Sequence, residues 1–244
     1  MKNNNSASLE ARIKNSKELI SFIKEYDQYV PTSDELKQTN YETFVTGADS
    51  SVTPLKDASA QVLRARSNEN DVFSKIIKIS KDVRSEIFEL KGKEADEWKQ
   101  VNNIVKLITG ENIKEHSDMK RKILKDLKEG DPQPVFVSVS ELDHKSMLGN
   151  FRSLTALVRT FVFYNPSDTT ITATSLDTLE ANAASSLAET ADKETNYLTE
   201  RSRLIQLLDG KGGLKDWARR AKAHVTRKYG IKSPEYKALT KKMY

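Results

Sequence analysis

The sequence predicts an all-α protein, a tandem duplication of an antiparallel multi-helix bundle unit with long helices. Three observations predict it. The composition favours helix: 37% of the 244 residues are hydrophobic, 31% are charged, and only nine Gly and six Pro occur. Leu55, Val62, Ile76, Val83 and Leu90 fall on a strict seven-residue spacing with Glu69 as its one polar member, the pattern of a bundle seam. The chain also repeats itself at a shift of 135 residues. Asn15, Leu19, Tyr29, Pro31, Thr43, Ala48, Ser50, Ser51, Asp57, Leu63, Arg66 and Ser67 meet Asn150, Leu154, Tyr164, Pro166, Thr178, Ala183, Ser185, Ser186, Asp192, Leu198, Arg201 and Ser202 without a gap. Beyond a three-residue insertion, placed at DGKGG 209–213, the shift becomes 138. There Gly92, Glu97, Trp98 and Lys99 meet Gly230, Glu235, Tyr236 and Lys237. An ordered series of this length reads as two repeats.

In chain order, residues 8–28 read as a helix, with Leu9, Ile13, Leu19, Ile20, Ile23 and Tyr26 near one face. Pro31 stops it, because the residue before a proline avoids the α region. Thr32-Ser33-Asp34-Glu35 has the form of an N-cap with a capping-box glutamate. A long helix is expected from about Pro54, a residue suited to a first turn, to Leu90. The second copy predicts a helix over 141–163, then a turn and cap over 164–168. Its long helix is expected to stop at Asp209-Gly210 and restart at Leu214. The octapeptides GKEADEWK and GIKSPEYK close the two copies, and their Trp98 and Tyr236 are expected to plug the bundles. The division that follows is repeat one over 1–104, a connector over 105–138, and repeat two over 139–244. The connector reads as a polar helix followed by a proline-containing extended segment.

SVSELDHKSMLGNFRSL at 138–154, the Arg-Ser-Arg of 201–203 and KAHVTRKYGIKSPEYK at 222–237 resemble an uncharacterised bacterial family of two-repeat helical proteins. Its members end in a basic helix and a GxxSxEYK-like segment. The resemblance covers the second repeat best. It implies the all-helical fold and no chemistry.

The residues themselves offer little chemistry. There is no cysteine, which removes thiol catalysis, disulfides and thiolate metal sites. His116, His144 and His224 stand far apart in sequence and outside any ligand-spaced pattern, so no metal or cofactor is expected. GKGG at 210–213 lacks the spacing and hydroxyl of a phosphate loop and reads as a helix break. Arg66 and Arg201 occupy equivalent positions and are expected in structural ion pairs with carboxylates such as Asp57 or Asp192. The N-terminal stretch has no apolar signal region and no segment approaches the ~18 apolar residues of a membrane span. A cytoplasmic protein is therefore expected.

Charge is the informative quantity. Residues 211–244 hold eleven Lys/Arg against Asp216 and Glu235, a net of +9, while the rest of the chain is near −4. Leu214, Trp217, Ala218, Ala221 and Val225 form an apolar stripe, and Lys215, Arg219, Arg220, Lys222 and Arg227 fill the remainder. The matched segment of repeat one is close to charge-balanced, so the fold does not require this charge. The expected function is a non-enzymatic structural or protein-interaction protein, acting through a protein partner or self-association. The second reading is a polyanion binder, nucleic acid included, that uses those five cations. It lacks an aromatic platform for stacking bases. A third is a membrane-active helical protein, for which VRTFVFY at 158–164 is the best segment and reads more naturally as core. A small-molecule substrate is not expected.

Overall fold

The computed structural model describes residues 4–111, 118 and 143–240. Among them are eight α-helices, two 3₁₀ turns and no strand. The helices are α1 Asn4–Lys24, α2 Gln38–Ser50, α3 Val52–Lys91, α4 Asp96–Thr109, α5 His144–Arg159, α6 Ala173–Asp209, α7 Leu214–Tyr229 and α8 Pro234–Thr240. The 3₁₀ turns are Asp34–Leu36 and Thr169–Ile171. The fold is all-α, with long helices packed on one another.

The long helices follow from the sequence as expected, with one addition. Pro54 lies in the first turn of α3. Its ring excludes the carbonyl four residues back and it has no N–H to give. The chain therefore breaks at Ser51, whose N–H bonds Gly47 O at 3.2 Å, and residues 38–50 form a separate helix. Position 189, the counterpart of Pro54, is Glu, and α6 runs unbroken from Ala173. It stops where predicted: Gly210 N–H bonds Gln206 O at 2.9 Å, and a Cβ on Gly210 would sit 2.4 Å from that same oxygen. Only glycine fits the break, which makes GKGG a corner of the fold.

Hydrogen bonds recur at the repeat shift. Tyr29 Oη donates to Leu36 O at 3.1 Å, and Tyr164 Oη donates to Ile171 O at 2.6 Å. Gly92 and Gly230 both take a left-handed φ, 79° and 85°, and their N–H groups bond Phe88 O and Thr226 O. Ala95 N–H and Ser233 N–H then return to Gly92 O and Gly230 O. Each octapeptide is thus a helix–corner–helix, with Pro234 at the first position of α8. Trp98 packs half-buried against a core, whereas Tyr236 stays half-buried with the Lys222 ammonium 5.2 Å from its ring centre.

The compact units are not the two repeats. One unit takes residues 1–62 with 193–244, the other residues 63–192. The first core joins Ile13, Leu19, Ile23, Tyr41 and Val45 of repeat one to Leu204, Leu208, Leu214, Ala221 and Val225 of repeat two. The second joins Phe73, Ile76, Val83, Ile87, Val101 and Val105 to Phe151, Leu154, Val158, Ile171 and Leu176. The reason is length. At ~1.5 Å per residue, α3 is ~60 Å long and α1 only ~30 Å, so α1 covers no more than half of α3. Each long helix starts in one unit and ends in the other.

Other expectations are corrected at their edges. The helix that crosses the expected boundary at 104 continues to Thr109 with Val105 and Ile108 fully buried, and closes on Gly110 at φ 72°. The rest of the expected connector, with its strand-like segment and His116, lies outside the described residues apart from Asp118. Thr32–Glu35 makes no capping box. The Ser33 side chain accepts no backbone N–H, and Glu35 bonds Arg220 instead, since a charge-assisted bond outcompetes a neutral one. Asp143 does cap α5, accepting from Lys145 N–H and Ser146 N–H at 3.1 and 3.0 Å. Leu90 is 47% exposed. A straight helix drifts ~20° per heptad, so five heptads carry Leu90 ~100° off the line of Leu55; Ile87 takes the inner position.

Ser80 is fully buried and its hydroxyl has no hydrogen bond among the described residues. Its counterpart at shift 138 is Ala218. Ser80→Ala is expected to raise stability by ~1 kcal/mol, because an unsatisfied buried hydroxyl is removed at almost constant volume. Urea unfolding followed at Trp98 reads the change, and a loss of stability would count against the assignment.

Candidate interaction surface

The first unit carries the basic helix. α7 packs inward through Leu214, Ala218, Ala221 and Val225, each at most 1% exposed. Trp217 lies against Tyr41 and Phe44, with centroids at 5.5 and 4.4 Å. Tyr26 and Tyr229 pack at 5.6 Å, Tyr26 Oη donates to Glu235 O, and Tyr229 Oη accepts from Gln28 N–H. Trp217, Tyr26 and Tyr229 are thereby packed against the core.

The five cations expected to act together divide into two groups. Lys215 stands 4.0 Å from Asp209. Arg220 is held in place: it donates to Glu35 at 2.5 Å and to Ser33 Oγ at 3.0 Å, and lies 3.7 Å from Asp216. Those carboxylates, Glu35 first, raise its pKa. Arg219, Lys222 and Arg227 make no ion pair among the described residues. They line a shallow depression with Ala223 and Thr226. A neighbouring groove shares Ala223 and Arg227 and adds Pro31, Thr32, Ser33, Leu36, Arg220 and His224. Charge at the C-terminal end of α7 is also favoured by the helix dipole.

His224 was not among the expected site residues. It is 7% exposed, edge-on to the Tyr29 ring at 5.1 Å, and its Nδ1 lies 3.3 Å from an Arg227 guanidinium nitrogen. A guanidinium only donates, so Nδ1 accepts and the ring proton sits on the buried Nε2. His224 therefore positions Arg227 at the groove. The sequence signal was present in the His-x-x-Arg spacing of one helical turn, but it is too common to single out. Burial, then Arg227 and Lys228, hold the imidazole pKa below its ordinary value, with the Gln28 carbonyl pulling weakly the other way. Between the two pKa values the unfolded chain binds more protons than the folded one. Stability of this unit is thus complete above the ordinary histidine pKa near ~6.5 and falls as pH drops through it. The expected result is a lower denaturation midpoint at pH ~5.5 than at pH ~7.5, read at Trp217 in a Trp98→Phe background, with the difference reduced in His224→Gln.

His144 lies in the second unit, its Nδ1 2.5 Å from Glu69 Oε1 and its ring stacked on Phe73 at 4.1 Å. Among the described residues no group of three His, Asp or Glu is placed to hold a metal ion. Also among them, no helix is long and apolar enough to cross a membrane. Within VRTFVFY, Val158 is buried, Phe161 and Phe163 pack half-buried, and Val162 is exposed. Arg66 is exposed and Arg201 half-buried.

No known family, curated protein or solved structure matches the chain.

Proposed function

We propose that this chain is a non-enzymatic interaction protein whose working surface is the basic face of α7, which takes an acidic partner surface. Arg219, Lys222 and Arg227, grouped around one depression with no carboxylate partner among the described residues, carry this reading. Uncompensated like charges repel and contribute nothing to folding, so their placement is best explained by an external anion. An acidic protein is favoured over nucleic acid because Trp217, Tyr29 and Tyr229 are held in the core, away from any base. A fluorescent oligoglutamate peptide and a duplex DNA of equal charge test it. The peptide is expected to bind at low salt, to release at high salt, and to be lost on Arg219→Glu/Arg227→Glu. Equal binding by the wild type and that variant would overturn the reading, and DNA binding without peptide binding would replace it with the nucleic-acid one.

A further inference from the structure

The cationic face of α7 has a titratable group beneath it. His224 lies within one helical turn of Arg227, and both line the groove that Pro31, Leu36 and Arg220 help to form. The ring is 7% exposed, so its neighbours in the fold decide its protonation state. Nδ1 is 3.3 Å from an Arg227 guanidinium nitrogen and accepts from it. That bond exists only while the ring is neutral. A proton on Nδ1 turns the acceptor into a donor and sets two cations against each other.

Nothing around the ring answers that added charge. On α7 its charged neighbours are Arg220, one turn before it, and Arg227 and Lys228 after it. From the segment between α1 and α2 come the Tyr29 ring, edge-on at 5.1 Å, and the Gln28 carbonyl. Burial pushes the Tyr29 phenol up to about 12 and its hydroxyl donates to Leu36 O, so it stays neutral. Glu35 of the same segment is engaged by Arg220, which also lies near Asp216. Among the described residues His224 has no ion pair with a carboxylate. The fold thus surrounds His224 with cations and leaves the matching anion to come from outside.

We propose that anion binding at the α7 face is coupled to protonation of His224. This rests on the reading of α7 as an interaction surface. The neutral ring holds Arg227 and takes up one of its N–H groups. An acidic ligand among Arg219, Lys222 and Arg227 draws that guanidinium towards itself and places negative charge beside the ring. Both changes favour the imidazolium: the bond that requires a neutral ring is given up, and a surplus of positive charge is answered. The proton comes from solvent and adds to Nδ1. By linkage the converse holds equally, so a protonated His224 strengthens anion binding by the factor by which the anion strengthens protonation. Affinity therefore rises as pH falls through the histidine range.

Binding of the oligoglutamate peptide to the full chain at pH ~6 and pH ~8, at one low ionic strength, tests it. The peptide carboxylates, with pKa near ~4.3, stay ionised across that range, and any charge that they lose on acidification weakens binding rather than strengthening it. The wild type is expected to bind at least ~threefold more tightly at the lower pH, since each unit by which the anion raises the imidazole pKa corresponds to at most ~tenfold in affinity. His224→Gln keeps an acceptor for Arg227 and cannot titrate. It is expected to bind equally at both pH values, with the affinity of the wild type at the higher one. In the wild type, the imidazole resonance of His224 is expected to titrate at higher pH with peptide than without, which reads the coupling even where the variant fails to fold. Wild-type binding that does not change with pH overturns the coupling. So does a pH dependence that survives in His224→Gln, or a His224 titration that the peptide leaves in place. In each of these cases the peptide still binds and the basic interaction surface stands. If the peptide binds at neither pH, both readings fail.

Discussion

Co-expressed as separate chains, residues 1–130 and 131–244 are expected to co-purify as a 1:1 complex with the helix content of the intact protein. Each alone is expected to be largely unfolded or to aggregate. Neither half contains a complete core. The first core needs Tyr41 and Ile23 from one piece and Leu208 and Val225 from the other. The second needs Phe73 and Val101 from one and Phe151 and Leu176 from the other. Polar ties cross the same divide, with Arg12 to Asp209, Tyr26 to Glu235 and Glu69 to His144. Burying ~25 cal/mol per Å² of apolar surface over two cores outweighs the entropy of bringing two chains together. A pull-down on a tag carried by the first piece, followed by circular dichroism, makes the measurement. Two independently folded, monomeric fragments would show that the repeats are the folding units after all.

His144→Ala is expected to destabilise the second unit by ~2–4 kcal/mol, read in urea at Trp98 with Trp217→Phe. Glu69 is 9% exposed, and His144 Nδ1 at 2.5 Å is its partner. Removing the ring leaves a carboxylate without that partner and strips one face of Phe73, itself 1% exposed. Leaving a buried charge alone costs more than the pair contributes. The double change Glu69→Leu/His144→Leu is therefore expected to recover most of the loss. A single change that costs under ~0.5 kcal/mol would mean that Glu69 is hydrated and the pair incidental.

Glu69 also shows where the sequence was legible. Its place as the one polar residue of the seven-residue series is visible without coordinates, and so is the seam that it interrupts. Its partner is 75 residues away, and no local pattern connects them. The same holds for the cores. Periodicity and corner residues are local quantities, and they placed the long helices, the stop at Gly210 and the cap over 164–168. Which helix completes which core depends on how far α3 and α6 reach, and that requires knowing where they break. The short α2 carries Tyr41, Val45 and Ala48 at helical spacing, yet it is too brief to stand out from the long helix behind it. The five cations of α7 were visible as a group. That Arg220 is tied to Ser33 and Glu35 while Arg219, Lys222 and Arg227 are not is a matter of tertiary neighbours.

The uninterrupted run of α3 from Val52 to Lys91 has a consequence for how this chain tolerates change in length. Inserting or deleting one residue between Val62 and Phe73 turns everything beyond it by ~100° and shifts it by ~1.5 Å. Val62 and Phe73 both face cores, so no rotation of the helix satisfies both after such an event. Seven residues at once restore the phase nearly, with ~20° of residual twist. Drift in length is better taken up at corners such as Gly92 and Gly210–Gly213. The three residues by which the copies differ, at 209–213, fall at one of those corners.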